Sequence, residues 1–596
     1  MDEPASIQNP ATSRAPISRL DGAVAREQDH DLRRLAILGF TAAVLLRLAL
    51  LPSRGFSFDL DQFVLWAHDL TRTPLGEAYR LGIPYPPVLV YALAALGALD
   101  PVFRTAVAGT SAAVTTAIKL PATLADIGLA AGVAYGLRDR PRWALYGALA
   151  MLLTPALWYL SAWWGQLDSL YLLPAVVAYL LAVSGRPVPG SVALAFSLMA
   201  KPQALPLLVP FVAWSLGSRG LRTTVAAGGA FVATVLLLWL PFLADGGLQD
   251  FLLSMTRMPT VSFNVISFQA WNPWWLAQLV LVGNPRPGDG PLAGIVSNST
   301  VLVAPFTLNV LGYVLAGIAE MLVFVAVLRR PTARTLALGL VSASLVAFEL
   351  LTAMHERYDV AAIVFAALLM PDTRARWLWA GLSGAISANI MASIPSNGVL
   401  QALLPPDGVM GIVGSLAMIA LSAWSVLLLV QEPAAARVGS SMLARPVALV
   451  RRRREQILYL VFGGWNTLFG YGVWALLQFG LGERLPYLAI VVLSWPIAVL
   501  NAYIVYRYFV FRSRGPILRE FPRFSLVYLA TLLVNLALLP VALRVLPFSI
   551  YVVQALFLAV VVVCSYLGHR YFSFGGRHRT RVGDPTVHDG PAAGGG

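Results

Sequence analysis

The amino-acid sequence predicts an all-α polytopic membrane protein. Of its 596 residues, 58% are hydrophobic and only 12% are charged, and the mean hydropathy of +0.72 is far above that of an ordinary soluble domain. Apolar segments of about 17 to 25 residues, the length that crosses roughly 30 Å of hydrocarbon, recur from Leu35 to near Leu567. We therefore predict about 12 to 14 membrane-spanning helices before Gln431 and about four more after it.

The charge of the chain is explained by its topology. The net charge is +14, but the arginines concentrate in short segments between apolar runs, where the positive-inside rule places them. The sequence therefore indicates orientation in a lipid bilayer and not nucleic-acid binding. The single cysteine, Cys564, excludes an internal disulfide framework and a zinc site made by cysteines alone.

The arginines also orient the individual segments. Residues 1–33 are polar, lack the apolar stretch of a signal peptide, and are predicted to form a disordered cytoplasmic tail. The first span, Leu35 to Leu51, then crosses outward. Following the chain from there places these segments outside: GFSFDLDQFVLWAHDL from Gly55, SAWWGQLDSLY from Ser161, MAKPQALP from Met199, residues 241–300, and TAMHERYD from Thr352. The region from Tyr85 to Leu137 returns the chain to the inside, by one crossing or by three.

The character of the sequence changes after residue 432. Residues 433–454 are predicted to form a basic cytoplasmic linker, and residues 576–596 a low-complexity, disordered cytoplasmic tail. Residues 455–575 contain apolar segments at about Ile457 to Phe479, Tyr487 to Tyr506, Phe524 to Leu546 and Ile550 to Leu567. The second ends in NAYIVYRYFVF and the fourth in SYLGHRYFSF, which indicates a parallel repeat of two helical hairpins.

Three aspartates lie in the first outer segment, and two of them, Asp59 and Asp61, are near its start. If a short interfacial helix begins at Ser57, Asp59 shares a face with Phe63 and Trp66, and Asp61 points to another side. The two carboxylates then diverge by about 200°, so binding of one metal ion by both would require extended backbone. The alternative is an amphipathic helix that lies on the membrane with a solvated acidic edge.

Other polar groups lie at the ends of apolar runs on the predicted outer side. Ionisable groups at membrane depth are costly, so each is a candidate functional residue. An outer arginine opposes the positive-inside bias, which favours phosphate binding by Arg357. Lys119 and Asp126 lie two helical turns apart and are predicted to form a buried ion pair. The candidates are Gln166, Asp168, Lys201, His355, Glu356 and Arg357.

In their order along the chain, these segments resemble the GT-C superfamily of polyprenyl-phosphate-sugar-dependent glycosyltransferases, notably its mannosyl- and glucosyltransferase branches. The resemblance implies a GT-C fold for residues 34–432, with Asp59 as the catalytic base and with neither metal nor other cofactor. The segments that carry it are FDLDQFVLW, YPPVLVYAL, KLPATLAD, WWGQLDSLY, AKPQALPLL and MHERYDVAAIV. The implied substrate-binding residues are Asp61, Gln166, Asp168, Lys201, His355, Glu356 and Arg357.

Residues 455–575 resemble the GtrA family of small four-span proteins through YLVFGGWNTLFGYG and NAYIVYRYFVF. That family is associated with moving polyprenyl-linked sugars across membranes or assisting their transfer. As a hypothesis, Arg507 and Arg570 hold the lipid phosphate, with Asn466 and Asn501 beside them. The alternatives are that the arginines only fix topology and that the asparagines bridge helices.

Together the two resemblances predict an inverting glycosyltransferase of the cytoplasmic membrane. Both termini are expected to be cytoplasmic and the active site extracytoplasmic. The donor is expected to be a polyprenyl-phosphate-linked sugar, and the acceptor a hydroxyl of a glycan, glycolipid or protein in cell-envelope synthesis. The second module would recruit or flip the donor. The alternative is a polyprenyl-phosphate-sugar flippase without transferase activity.

Overall fold

The structure is a computed structural model that describes residues 15–257, 264–282, 296–303 and 306–432, and in the C-terminal region residues 466, 469–474, 477–478, 481, 484–505, 507, 517–545 and 554. It confirms the all-α polytopic architecture. Within these residues, six helices are long and apolar enough to cross a membrane, and the bent pair Pro141–Leu153 and Pro155–Trp164 would make a seventh span. The chain divides into two compact units, the large unit (Met1–Thr300 and Phe306–Ala436) and the C-terminal unit (Val301–Pro305 and Arg437–Gly596).

Almost all regular structure of the large unit is helical. Its α-helices are α1 (Ala15–Leu50), α2 (Ser57–Asp69), α3 (Pro87–Leu99), α4 (Ala112–Gly136), α5 (Pro141–Leu153), α6 (Pro155–Trp158), α7 (Ser169–Val183), α8 (Pro187–Ala200), α9 (Leu208–Arg219), α10 (Leu221–Leu243), α11 (Gly247–Arg257), α12 (Pro273–Val282), α13 (Leu308–Arg329), α14 (Ala333–Leu350), α15 (Val360–Ala367), α16 (Thr373–Ser393), α17 (Gly398–Leu403) and α18 (Gly408–Gln431).

The remaining elements are short. There are 3₁₀ turns at Leu75–Leu81, Pro101–Arg104 and Pro202–Leu207, and a π-helical turn at Tyr159–Trp164. The strands are β1 (Ser267–Phe268), β2 (Val301–Val303), β3 (Phe306–Thr307) and β4 (Met354–His355). Strands β1 and β4 pair in parallel, with Ser267 opposite Met354 and Phe268 opposite His355.

Proline explains why many helices are shorter than a full span. It occupies the first turn of α3, α5, α6 and α8, where it needs no hydrogen-bond partner and its fixed φ suits a helix start. Helices α3, α7 and α8 have 13, 15 and 14 residues, fewer than the roughly 20 that span a bilayer. The number of crossings, about 12 to 14 by the length rule, therefore stays a prediction.

The region from Tyr85 to Leu137 holds one full-length helix. Helix α4 has 25 residues, begins at a Ser111 cap whose hydroxyl accepts the Val114 N–H, and is about 37 Å long at 1.5 Å per residue. Helix α3 has only 13 residues. Of the two alternatives, a single crossing fits these lengths.

The prediction of a disordered tail differs from the structure over part of its length. Helix α1 begins at Ala15, so residues 15–33 are helical and continuous with the first apolar segment. Alanine, arginine and leucine recur in this stretch, and their helix propensity lets the helix extend beyond the apolar run. Residues 1–14 lie outside the described part of the chain.

Helices α14 and α15 form the centre of the large unit. All eight residues of α15 are buried, and so is every residue of α14 from Thr335 to Glu349. Peripheral helices such as α10 instead expose leucines, with Leu237 67% exposed, as expected of a surface that faces lipid. The continuous burial of α14 and α15 fixes the segment that joins them, Leu351 to Asp359.

In the C-terminal unit, the second and third predicted apolar segments are helices α19 (Tyr487–Val505) and α20 (Ile517–Val545). Trp474, Ile490, Val491 and Leu539 form the core of this unit. Helix α20 starts seven residues before the predicted Phe524 boundary, with Pro522 inside it. The linker 433–454, the tail 576–596 and all of the fourth predicted segment except Gln554 lie outside the described residues.

Candidate functional site

Seven polar residues predicted from separate segments lie together in the large unit, and we call them the polar cluster. They come from the first turn of α2, the loop before α7, the residue after α8, and the segment from β4 to α15. All except Asp59 are less than a tenth exposed. The members are Asp59, Gln166, Asp168, Lys201, His355, Glu356 and Arg357.

Asp59 lies on a helix that packs into the protein. Phe63 and Trp66, on the same face of α2, are only 2% and 8% exposed. This burial distinguishes α2 from a helix that merely lies on the membrane. The Asp59 Oδ2 atom accepts hydrogen bonds from Gln166 Nε2 at 2.5 Å and from Trp164 Nε1 at 2.9 Å. The carboxylate is therefore held by the loop before α7.

That loop, residues 165–168, follows the π-helical turn Tyr159–Trp164. It begins with a left-handed backbone conformation that glycine adopts readily. Gly165 has φ +95°, and a Cβ atom there would lie 2.5 Å from the Leu60 side chain on α2. At Gly55, with φ +59°, a Cβ atom would lie 2.0 Å from the Trp163 carbonyl oxygen. The two glycines let the loop and the start of α2 approach closely, which brings Gln166 within reach of Asp59.

A buried carboxylate anchors the same loop at both ends. Asp126 on α4 accepts hydrogen bonds from Ser161 Oγ at 2.6 Å, in the π-helical turn that precedes the loop, and from Ser169 Oγ at 2.5 Å, directly after the loop. Arg47 on α1 completes the network through an ion pair with Asp126 at 3.1 Å and a hydrogen bond to the Leu152 carbonyl at 2.7 Å. Asp126, in the candidate membrane-spanning helix α4, thus holds the loop in place.

The predicted ion pair between Lys119 and Asp126 is wrong. Lys119 Nζ donates instead to the Ser53 carbonyl at 2.6 Å, and Asp126 pairs with Arg47. Seven residues along a helix correspond to about 10 Å, which is too far for a direct contact when each group has a nearer partner. Lys119 therefore holds the turn before α2, which also positions Asp59.

Lys201 connects the loop to the end of α8. Its Nζ atom lies 2.9 Å from Asp168 Oδ1 and 3.3 Å from Gln166 Oε1, and its side chain is 2% exposed. Burial lowers the pKa of this ammonium group, although the neighbouring Asp168 carboxylate opposes the change. Gln166 thus connects Lys201 and Asp59 in one chain of hydrogen bonds.

His355 is positioned by the small sheet of β1 and β4. Its ring lies 4.5 Å from the Phe268 ring, centroid to centroid, and its backbone bridges to Gln269. Gln269 and Ala353, beside these strands, both have positive φ, +57° and +58°, which is strained for residues other than glycine. Burial lowers the pKa of His355, so the imidazole is neutral at neutral pH. Part of the long segment 241–300 thus reaches the polar cluster.

Arg357 is a buried cation that lies beside two acids, Glu356 and Asp168. Its guanidinium forms an ion pair with Glu356, and its Nε atom lies 3.9 Å from Asp168 Oδ2. Burial raises the pKa of Glu356, but Arg357 and His355 outweigh this effect and hold it at about 2. Arg357 also lies 5.0 Å above the Trp164 ring centroid. Its buried Nε–H has no hydrogen-bond acceptor among the described residues, so this donor is available to a ligand.

Asp61 does not join the polar cluster through its hydrogen bonds. Its Oδ1 atom accepts the Gly109 N–H at 2.7 Å, and its Oδ2 atom lies 3.2 Å from Arg54. This is the divergence from Asp59 that helix geometry predicts. The contacts of Asp61 hold the loop before α4, and its predicted part in substrate binding stays a prediction.

The arrangement can bind an anion beside a base. Lys201, His355 and Arg357 supply donors, while Asp59 presents a partly exposed carboxylate next to them. Within the described ranges, no three His, Cys, Asp or Glu side chains are placed to hold one metal ion. The chemistry that these side chains themselves offer is proton acceptance together with stabilisation of a leaving anion.

Sequence reasoning missed three contributors. Trp164 is predicted only as part of the motif WWGQLDSLY, yet its N–H donates to the Asp59 carboxylate. Tyr85 was noted only as part of a motif, yet its ring lies 5.6 Å from Lys201 Nζ. Asp126 was assigned to a structural pair, although its serine partners flank the loop. The only available signal was their position inside the quoted motifs, since periodicity does not distinguish these roles.

The C-terminal unit has its own polar contacts. Asn501 Nδ2 donates to Asn466 Oδ1 at 2.9 Å, which is the interhelical bridge given as the alternative to phosphate binding. Arg507 forms an ion pair with Glu520 and donates to the Tyr503 hydroxyl at 2.9 Å. Arg570 lies outside the described residues. The predicted binding of lipid phosphate by these residues stays a prediction.

A comparison of the chain with curated proteins gave no match. A comparison with protein families matched residues 458–574 to the GtrA/DPMS transmembrane domain, which confirms the GtrA-like part of the sequence prediction. The chain is therefore a multi-pass integral membrane protein whose C-terminal region carries a GtrA/DPMS transmembrane domain.

Proposed function

We propose that the large unit is a GT-C-type inverting glycosyltransferase that moves a sugar from a polyprenyl-phosphate donor to an acceptor hydroxyl on the extracytoplasmic side. One observation carries the proposal. Asp59, Gln166, Asp168, Lys201 and Arg357, from four separate segments, form one network in which a carboxylate and buried cations adjoin. A membrane protein gains little from such a costly arrangement unless it binds a polar substrate.

The proposed reaction uses these side chains as follows. The acceptor oxygen attacks the anomeric carbon while Asp59 takes its proton, so the carboxylate becomes a carboxylic acid. The bond between the anomeric carbon and the phosphate oxygen breaks, and polyprenyl phosphate leaves with the electron pair. Attack from the face opposite to the leaving group inverts the anomeric configuration. Asp59 later returns its proton to water.

Arg357 is the residue best placed to bind the leaving phosphate. It is buried and stays charged, and its Nε–H has no hydrogen-bond acceptor among the described residues. Its planar guanidinium suits bidentate contact with phosphate oxygens. Neutral His355 adds a hydrogen-bond donor, and Lys201 adds charge. These donors stabilise the negative charge that develops on the phosphate as the bond breaks.

The GtrA/DPMS domain supports the choice of donor, because it links the chain to the handling of polyprenyl-phosphate sugars. We propose that this domain recruits or flips the donor for the large unit. The same match favours the second candidate function, a flippase without transferase activity. Mannose, glucose, arabinose and galactose donors all fit the proposal, as do glycan, glycolipid and protein acceptors in cell-envelope synthesis.

Two assays on the purified full chain separate the candidates. In nanodiscs, a panel of polyprenyl-phosphate sugars is offered, and release of polyprenyl phosphate and glycosylation of an added acceptor or water are measured. In proteoliposomes, movement of the same lipids between leaflets is followed. Transfer that Asp59→Asn abolishes supports the glycosyltransferase. Movement between leaflets without transfer from any donor would instead establish the flippase.

Replacement of Arg357 by lysine is expected to weaken donor binding. Lysine keeps the charge but loses bidentate contact and the guanidinium that lies over the Trp164 ring. Loss of a hydrogen bond to a charged group costs about 1.5–3 kcal/mol, so the KM for the donor should rise roughly 10- to 100-fold. Arg54→Lys is the matched control, because Arg54 is 60% exposed and pairs with Asp61 outside the polar cluster. Equal KM values for the two variants would contradict phosphate binding by Arg357.

The pH dependence of transfer should report on Lys201. Burial lowers the pKa of Lys201, so this side chain loses its proton at a lower pH than an ordinary lysine does. When Lys201 loses its proton, Asp168 loses a charged partner. The contribution of this charge to activity is complete below the lowered pKa of Lys201 and is lost as the pH rises through it. Arginine does not deprotonate in this range, so Lys201→Arg should move the alkaline fall to higher pH. Normalised pH–rate profiles that coincide for both proteins would argue against a charged Lys201 in the reaction.

A further inference from the structure

Trp164 contacts both the proposed base and the proposed phosphate-binding residue. Its indole N–H donates to Asp59 Oδ2 at 2.9 Å, and the face of its ring lies 5.0 Å from the Arg357 guanidinium carbon. The Phe56 ring packs against it in a T-shaped arrangement, with 5.7 Å between the ring centroids. The side chain is 1% exposed, so it is fixed by protein contacts on several sides.

The two oxygens of Asp59 have different environments. Both hydrogen bonds that Asp59 accepts within the described part of the chain, from Trp164 and Gln166, go to Oδ2. Two donors occupy the lone pairs of that atom and make it a poor acceptor for a further proton. Asp59 is partly exposed, so Oδ1 is left to accept a hydrogen bond from a substrate hydroxyl.

We infer that Trp164 is a positioning residue which, together with Gln166, immobilises Asp59 Oδ2 and so directs Oδ1 toward the acceptor hydroxyl. Since its ring also packs against Arg357, one rigid indole sets the spacing between the base and the phosphate-binding cation. This inference rests on the proposed glycosyl transfer. Misplacement of reacting groups by about 1 Å can cost about 100-fold in rate, so control of this spacing matters to the reaction.

The backbone around Trp164 suits this part. The residue ends the π-helical turn Tyr159–Trp164, and Gly165 then reverses the chain with a positive φ. Ser161, in the same turn, is bonded to Asp126 on α4. An indole on a segment fixed in this way cannot swing away from Asp59 without breaking several buried contacts.

Trp164→Phe tests the inference because it keeps an aromatic ring against Arg357 and removes only the N–H. We expect kcat to fall about 10- to 100-fold and the KM for the donor to stay unchanged, since phosphate binding is preserved. Trp164→Ala removes both contacts and should lower kcat and also raise the donor KM. A merely structural role of the indole in packing would instead leave kcat at its wild-type value in Trp164→Phe, because that variant keeps a ring against Arg357.

Trp163→Phe is the matched control. Trp163 is adjacent and packs against Tyr159 with 4.3 Å between the ring centroids, and the Trp163→Phe variant should keep wild-type kcat and KM. If Trp164→Phe does not fold, Trp164→His, which retains a ring N–H, and Gln166→Met, which removes the second donor to Oδ2, are assayed instead. The inference predicts a smaller kcat loss in Trp164→His than in Trp164→Ala, and a kcat loss in Gln166→Met.

The outcomes separate this inference from the proposed function. Wild-type kcat in Trp164→Phe, alongside an inactive Asp59→Asn, overturns the positioning role and leaves the glycosyltransferase intact. For the replacement variants, equal losses in Trp164→His and Trp164→Ala with wild-type kcat in Gln166→Met overturn it in the same way. Full activity of Asp59→Asn overturns both.

Discussion

Replacing Asp59 by asparagine is expected to lower kcat for glycosyl transfer by about 10²- to 10⁴-fold, the contribution of a positioned general base. Asparagine has nearly the same shape and still offers an oxygen to Gln166 and Trp164, but it cannot take the proton of the acceptor. The fold should be unaffected, because Asp59 is partly exposed and its neighbours keep their other contacts. The KM for the donor should change little, since Arg357 and Lys201 remain. Steady-state transfer from the donor that the panel identifies measures both constants.

Asp61→Asn is the internal control for this result. It alters the same helix two residues later, but the Asp61 carboxylate binds the Gly109 N–H and Arg54 outside the polar cluster. We expect at most a small loss of activity. If the two variants lost activity equally, the loss would reflect the local charge of α2 and not a base at Asp59. If Asp59→Asn transferred sugar at the wild-type rate, the proposed mechanism would be wrong.

Helix geometry alone predicts the separation of the two acids. At 100° per residue, Asp59 and Asp61 must point to different sides of α2, and their hydrogen bonds differ accordingly. The same simple geometry limited the prediction at Lys119 and Asp126. Residues seven apart share a face but lie about 10 Å apart, and periodicity could not reveal that Ser53 and Arg47 stand nearer.

The convergence of Gln166, Lys201 and Arg357 was predictable only through topology. Counting the membrane crossings predicts that their segments lie on one side of the membrane. Many different side-chain arrangements would be compatible with that topology. Their actual contacts depend on local backbone features such as the positive φ of Gly165 and the pairing of β1 with β4. Two-residue strands leave no period-2 pattern, so the approach of residues 267–269 to His355 left no signal in the sequence.

Replacing Asp126 by alanine is expected to be the most destabilising single change near the site. It leaves the Arg47 guanidinium buried without its acidic partner and removes the acceptor of Ser161 and Ser169. Breaking one side of a buried ion pair typically costs about 3–5 kcal/mol. Thermal unfolding of the purified protein in detergent should show a markedly lower Tm. Activity at a temperature below this transition should also fall, because the loop that carries Gln166 is no longer anchored.

The double variant Arg47→Met with Asp126→Leu separates the effect of charge from the effect of anchoring. With both charges gone, no uncompensated ion is buried, and the stability should largely recover. Ser161 can still donate to the Leu157 carbonyl, but the bond that ties Ser169 to α4 stays absent. We therefore expect a protein with near wild-type Tm whose kcat remains reduced. Recovery of kcat together with Tm would show that Asp126 serves stability alone, whereas loss of kcat at restored Tm links a carboxylate inside a membrane-spanning helix to the geometry of the site.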